Sequence, residues 1–169
     1  MSGSPDILNL LDDLLTKAKN KGADAGDVVH IESISLSVAQ RLGNPEKLER
    51  SESADIGLRV FAGKSQAIVS SSDTTPDAID ELAERAVAMA KSVPADPYCG
   101  LADPAQLATV VPDIDAFDAS EPSAETLVDW ANRAEHAARA VEGVTNSEGA
   151  EAGWGRATVS IAATNGFSH

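Results

Sequence analysis

Apolar residues recur at helical spacing near the start of the chain, at Ile7, Leu10, Leu11, Leu14, Leu15 and Ala18. That rhythm predicts an amphipathic helix with one greasy face. Ser4 is placed to cap it, Pro5 suits the first helical position, and Gly22 ends the run. The period then falls to two. In "DVVHIESISLSVAQRL", Val29 and Ile31 share one parity while Ile34, Leu36 and Val38 share the other. The apolar phase therefore switches near Ser33, which a bulge or two short strands would explain, and His30 falls on the polar parity. Gly43 to Ser53 reads as a turn. Beyond it Ile56, Leu58 and Val60 alternate with Gly57, Arg59 and Phe61, Ala62-Gly63-Lys64 is turn material, and Gln66 to Ser70 forms the return strand of a hairpin.

A second helix begins at Thr75-Pro76 and carries Ile79, Leu82, Ala83, Ala86, Val87 and Ala90 on one stripe. The Thr74/Asp77 spacing permits a capping box at its start. From Pro94 to Pro122 the chain is a long connection punctuated by prolines and aspartates. Tyr98, Leu101, Leu107, Val110, Val111, Ile114 and Phe117 are expected to pin it against a core. A third helix runs from Ser123 with Leu127, Trp130, Ala131, Ala134, Ala138 and Val141 inward, and Gly143 is positioned to stop it. Two more strands are expected in "NSEGAEAGWGRATVSIAATNGFSH", where Asn165-Gly166 is a strong hairpin-turn signal followed by only three residues. Meander signals without strand–helix–strand alternation imply a single α+β domain over residues 1–169: an antiparallel β-sheet meander with about three helices packed on one face.

Composition narrows the function classes. The chain has 169 residues, enough for a self-sufficient core, and a formal net charge of -14 from 27 acidic and 13 basic side chains. Such an excess repels phosphates and anionic lipid, so neither nucleic acid nor membrane is an expected partner. Acidic residues scattered over helix surfaces also serve solubility alone. The single cysteine, Cys99, has no partner within the chain. The first thirty residues hold neither a secretory signal nor a membrane-spanning run, and a cytoplasmic protein is expected.

Catalytic chemistry is hard to find in these residues. His136 projects to solvent by helical geometry. His30-Ile31-Glu32 matches the H-x-E of zinc deaminases, but the accompanying P-C-x-x-C is missing and zinc needs three or four converging ligands. H-E-x-x-H, G-x-S-x-G, Walker and G-x-G-x-x-G motifs are absent. Cys99 lies in a Pro-flanked loop without a neighbouring base. No catalytic, cofactor-binding or metal-binding residue is assigned.

Several motifs taken in order do carry a resemblance. These are S-E-S (Ser51–Ser53), G-L-R-V-F (Gly57–Phe61), S-S-S-D (Ser70–Asp73), D-P-Y-x-G-L-A-D-P (Asp96–Pro104), N-S-E-G (Asn146–Gly149) and N-G-F-S (Asn165–Ser168). From about Leu8 onward the chain resembles the amino-terminal domain of the TldD/PmbA family, whose members are also described as modulators of DNA gyrase, and within it the PmbA or TldE branch. The resemblance implies a subunit of a TldD–TldE type zinc metallopeptidase that trims or degrades unfolded peptides. Members continue into a larger β-rich domain, which would lie beyond His169 and supply the hairpin's partner strand. The zinc motif, H-E-x-x-x-H, belongs to the TldD-type subunit and matches nothing here, so zinc is expected only in that partner. The expected partners are thus a TldD-like subunit, the chain's own carboxy-terminal domain and an unfolded peptide, in a hetero- or homodimer. Asn146, Glu148, Asn165 and Phe167, in the most family-like terminal stretch, are candidates for the interface with the missing domain or partner. The alternative is a stand-alone binding or regulatory module acting on a partner such as gyrase or an antitoxin.

Overall fold

The computed structural model describes residues 5–169. Its elements are, in order, α1 (Pro5–Asn20), β1 (Ala25–Arg41), β2 (Asn44–Ala62), β3 (Ser65–Ser71), α2 (Pro76–Ser92), α3 (Ala124–Arg139) and β4 (Ala150–Ala163), with a single 3-10 turn at Pro104–Gln106. The strands form one four-stranded sheet in the order β3-β2-β1-β4. An α+β architecture with an antiparallel sheet is what the patterning implies. The chain divides into two compact units. The first takes the chain up to Glu32 with Ser53–Val111 and Thr158–His169; the second takes Ser33–Glu52 and Pro112–Ala157.

In the first unit, α1 ends as its sequence predicts. Gly22, at φ 102, donates to the Lys19 carbonyl at 2.9 Å, and Ala23 donates to Ala18 at 3.0 Å. These two bonds form a Schellman cap, which satisfies carbonyls that the helix end would otherwise leave open. The proposed cap at Ser4 lies outside the described residues. Leu11, Leu14 and Leu15 of α1 and Ile79, Leu82, Ala83 and Ala86 of α2 pack against the strand face carrying Val28, Ile56, Leu58, Val60 and Val69. All six apolar positions expected on the α2 stripe are buried. The capping box does not form: Thr75 is the N-cap residue without a side-chain cap bond, and Asp73 Oδ1 instead accepts from the Thr75 N–H at 2.8 Å. β2 and β3 pair with Ala62 opposite Ser65, joined by Gly63 (φ 61) and Lys64, as a type II′ turn requires.

β1 corrects two expectations. It is one strand, and its buried positions keep one parity at Val28 and His30 and again at Leu36, Val38 and Gln40, with Ala39 alone buried on the other. Val29 and Ile31 lie on the other face, so no phase switch occurs, and His30 is buried at 5 % exposure. Apolar residues occur on both faces of this strand, and parity alone could not say which face the helices cover. β2 corrects a third. Gly43 to Ser53 is not a turn; the turn is only Leu42-Gly43, and the strand starts at Asn44. Pro45 to Asp55 is exposed at every position, so no burial rhythm marked it as a strand.

In the second unit, α3 lays Leu127 and Ala131 on Leu36 and Val38, with Val128, Ala150, Ala152 and Trp154 at the margin. Ser123 caps the helix, its Oγ accepting from the Thr126 N–H at 3.2 Å. The inward stripe is Leu127, Ala131 and Glu135; Trp130, Ala134, Ala138 and Val141, expected inside, are exposed. Gly149, Gly153 and Gly155 of the β4 region lie against Gln40, Leu36 and Ile34 of β1, numbers falling on one strand as they rise on the other, which is antiparallel pairing. The connection is also less pinned than expected. Tyr98, Val110, Val111, Ile114 and Phe117 are all exposed, and only Leu101 and Leu107 are half-buried. The last segment is one strand rather than two. After the Asn165-Gly166 turn, Phe167 and His169 return beside it, with Ala163 N–H donating to Phe167 at 2.8 Å and His169 N–H to Ile161 at 2.9 Å.

Candidate functional site

The second unit concentrates aromatic surface in one place. A groove of about 600 Å³ is lined by Phe117, Trp130, Trp154 and Arg156, with Asp118 and Glu121 on its wall. Alternation along β4 directs Ala150, Ala152, Trp154 and Arg156 to the face that α3 covers. Trp130 lies one position before Ala131, so its ring leaves the buried stripe and opens to solvent at 48 % exposure. The Arg156 guanidinium lies over the Trp154 ring, its Cζ 5.7 Å from the centroid, within cation–π range. β4 is also an end strand of the sheet, with β1 as its strand neighbour and the short 167–169 return beside it only at Ile161–Ala163. Its outer edge between Ala150 and Ala157 presents unpaired backbone groups, a surface on which an extended chain can add as a further strand.

The charged walls are already engaged. Glu121 accepts from Arg50 at 3.1 Å, and Asp118 Oδ1 accepts from the Ser120 N–H at 2.8 Å and hydroxyl at 2.7 Å. The Ser120 hydroxyl, then its N–H, hold the Asp118 carboxyl below the ordinary aspartate value. Elsewhere in the unit, the buried Glu135 carboxylate accepts from the Leu42 N–H at 2.8 Å and the Gly43 N–H at 3.2 Å. The Leu42 N–H first, then the Ser147 hydroxyl, lower its pKa. Glu135 thus fixes the β1–β2 turn rather than serving as an acid.

Residues 26–90 match the profile described as PmbA/TldA metallopeptidase domain 1. The chain is 33 % identical over 128 residues to the metalloprotease PmbA of Escherichia coli O157:H7, covering 75 % of this chain and 28 % of that protein. It is 34 % identical over 139 residues to the metalloprotease PmbA homolog of Haemophilus influenzae, covering 82 % and 30 % respectively. The chain belongs to the PmbA/TldD family. It corresponds to an amino-terminal part of these proteins and spans roughly three-tenths of the length of the curated relatives it matches. Solved structures share the fold at low identity. A protein described as a modulator of DNA gyrase from Bacteroides thetaiotaomicron superposes with a TM-score of 0.84 at 17 % identity, over 98 % of this chain and 38 % of that one. TldE from Thermococcus kodakarensis gives 0.75 at 17 % identity, over 95 % and 36 %.

The metal that the family name implies does not fit the residues described. Among them no three His, Cys, Asp or Glu side chains come together, and His30 is buried in a strand while His136 is exposed on α3. The four terminal residues singled out in the sequence divide between the two units. Asn146 and Glu148 are exposed in the loop before β4, in the second unit. Asn165 and Phe167 are half-buried in the first, where Asn165 Nδ2 donates to the Ala102 carbonyl at 3.0 Å and its Oδ1 accepts from the Phe167 N–H at 3.3 Å. The aromatic groove escaped the sequence reading because Phe117 and Trp130 were assigned to the core. The G-W-G-R run (Gly153–Arg156) was the available signal: a large ring between two glycines, on a strand that offers it few neighbours.

Proposed function

We propose that this chain is the amino-terminal domain of a PmbA/TldE-type subunit in a cytoplasmic, TldD–TldE-like zinc metallopeptidase that trims or degrades unfolded polypeptides. In this reading the domain supplies chamber wall and subunit contacts, while zinc and catalytic residues reside in the TldD-type partner. The observation that carries it is the unpaired β4 edge of the second unit beside an exposed aromatic groove. Strand addition there recognises main chain rather than sequence, as a processing enzyme for varied unfolded chains requires. Family membership supplies the metallopeptidase context, and Asn146, Glu148, Asn165 and Phe167 remain candidate contacts to the rest of the assembly.

The test uses the full-length protein with its TldD-type subunit. Replacing Glu151, Gly153 and Gly155 together by lysine puts charge on the strand and blocks its edge. Turnover of an unstructured peptide is expected to fall at least tenfold, with zinc content unchanged. Undiminished turnover and assembly would exclude a role for the edge.

A further inference from the structure

The open edge of β4 between Ala150 and Ala157 separates two unlike surfaces. On the side that α3 covers, Trp154 lines a groove with the rings of Trp130 and Phe117. These are three of the six aromatic residues of the chain, and rings left at the surface hold apolar area that is buried only on binding. On the other side stand the odd-numbered positions, all exposed, among them Gly153 and Gly155. A Cβ added at these glycines would meet only Ser37 and Ser35 and the backbone of β1, in ordinary contact at 3.6–4.0 Å. That surface is therefore flat and carries almost no side chain. The groove also has a sign. Its lining holds two carboxylates, Asp118 and Glu121, against one guanidinium, Arg156.

We propose that the β4 edge and the Phe117–Trp130–Trp154 groove together bind an extended polypeptide segment that carries uncharged apolar side chains at every second position. Successive side chains of an added strand point to opposite faces, so residues i and i+2, roughly 7 Å apart, turn toward the rings together. Main-chain hydrogen bonds along the edge supply affinity, and the groove supplies the preference at alternate positions. Carboxylates there are disfavoured by Asp118 and Glu121, whereas the intervening positions pass over Gly153 and Gly155 and are free to vary. Alternation of apolar and polar residues is the pattern of half-buried strands, which folded proteins hide and unfolded ones expose. The edge thereby selects unfolded chains by what they reveal. This inference rests on the peptide-handling reading above and adds to it a side-chain pattern.

Both tryptophans of the chain line the groove, so intrinsic fluorescence reports its occupancy without a label. Acetylated, amidated heptapeptides of leucine and glutamine serve as probes. One alternates the two residues; an isomer of the same composition spaces its leucines every third position, so that neighbouring leucines face opposite ways; a third replaces each leucine of the alternating peptide by glutamate. The alternating peptide is expected to give a saturable emission change and to bind roughly tenfold more tightly than the isomer, the effect of moving a leucine out of an apolar site. The glutamate peptide is expected not to bind. N-methylation of its leucines, or of its glutamines, removes alternate N–H groups from the alternating peptide; one set faces β4, so one series should lose binding and the other keep it. Phe117→Ala, at a half-exposed position, is expected to erase most of the advantage of alternation. Equal binding of the two isomers, binding of the glutamate peptide, equal effects of the two methylations, an unchanged titration in F117A, or no emission change up to millimolar peptide would overturn the proposal. Peptide turnover by the full-length complex is a separate readout. If the isomers bind alike while the lysine substitutions at Glu151, Gly153 and Gly155 still lower turnover, the pattern preference fails and the metallopeptidase reading stands.

Discussion

At Leu42 and Gly43 both residues of the β1–β2 turn hold positive φ, 51 and 75, which is the type I′ conformation that suits the twist of a hairpin. Glycine adopts it freely, whereas a leucine there costs about 1 kcal/mol or more from contact between its Cβ and the backbone. Its exposed side chain recovers little of that. Leu42→Asn is therefore expected to raise the stability of the second unit by about 1 kcal/mol, read as a higher urea midpoint in tryptophan emission. Gly149 shows the reverse case. At φ 106, an added Cβ would stand 2.6 Å from the Gln40 carbonyl oxygen, so Gly149→Ala is expected to destabilise the same unit by about 2–3 kcal/mol. Glu135 ties the turn to α3 in a pH-dependent way. Its folded pKa lies below the ordinary glutamate value because the Leu42 N–H and its other donors favour the charged form. Stability from that carboxylate is fully present above the unfolded pKa and is lost as pH falls through the lowered folded one. Tryptophan-monitored melts should weaken progressively below the ordinary carboxylate range, and Glu135→Gln should lower stability at neutral pH while removing much of the acid dependence. A parallel pH profile in the variant would exclude this role.

At the scale of elements, legibility followed the sharpness of the burial stripe. α2 was readable position by position because its six buried residues are small or aliphatic and its other faces are polar, so period and composition agree. Truncating one member, as in Leu82→Ala, is expected to cost about 2–5 kcal/mol, since Leu82 is 1 % exposed in the middle of the stripe; a loss below about 1 kcal/mol would mean the core closes over the gap. α3 was harder. Its buried stripe contains only Leu127, Ala131 and Glu135, and Trp130, hydrophobic and one residue from Ala131, drew the reading onto the wrong face. The first ten residues of β2 could not be read as a strand because none is buried. "NPEKLERSES" resembles a polar loop, yet charge and proline on a sheet strand without a β3 partner guard it against unwanted pairing. The candidate groove was illegible for the same reason as α3. Its rings come from a connection, a helix and a strand distant in sequence, and two of them, Phe117 and Trp130, taken alone, suggest core.

Across the molecule, the two units differ in what holds them. Among the described residues the first unit's core comprises eighteen buried apolar side chains drawn from two helices and the strands. The second has four, Leu36, Val38, Leu127 and Ala131, supplemented by half-buried neighbours and by the Glu135 tie to the turn. Apolar burial is the main favourable term in folding, so local opening should be less costly in the second unit than in the first. That expectation suits the proposed role, since surfaces that accept varied polypeptides come from the less stable parts of a fold. Hydrogen exchange followed by mass spectrometry gives the direct measure. Amides of α3 are expected to exchange markedly faster than those of α1 and α2. Urea titration should give an earlier midpoint by tryptophan emission, which arises only in the second unit, than by exchange protection of α2. Coincident midpoints and uniform protection would make the chain one cooperative unit; the groove would then be a rigid, preformed surface, and peptide binding should leave exchange in α3 unchanged. Under the unequal stability expected of the two units, an unstructured peptide should instead slow exchange in α3 and leave α1 and α2 as they were.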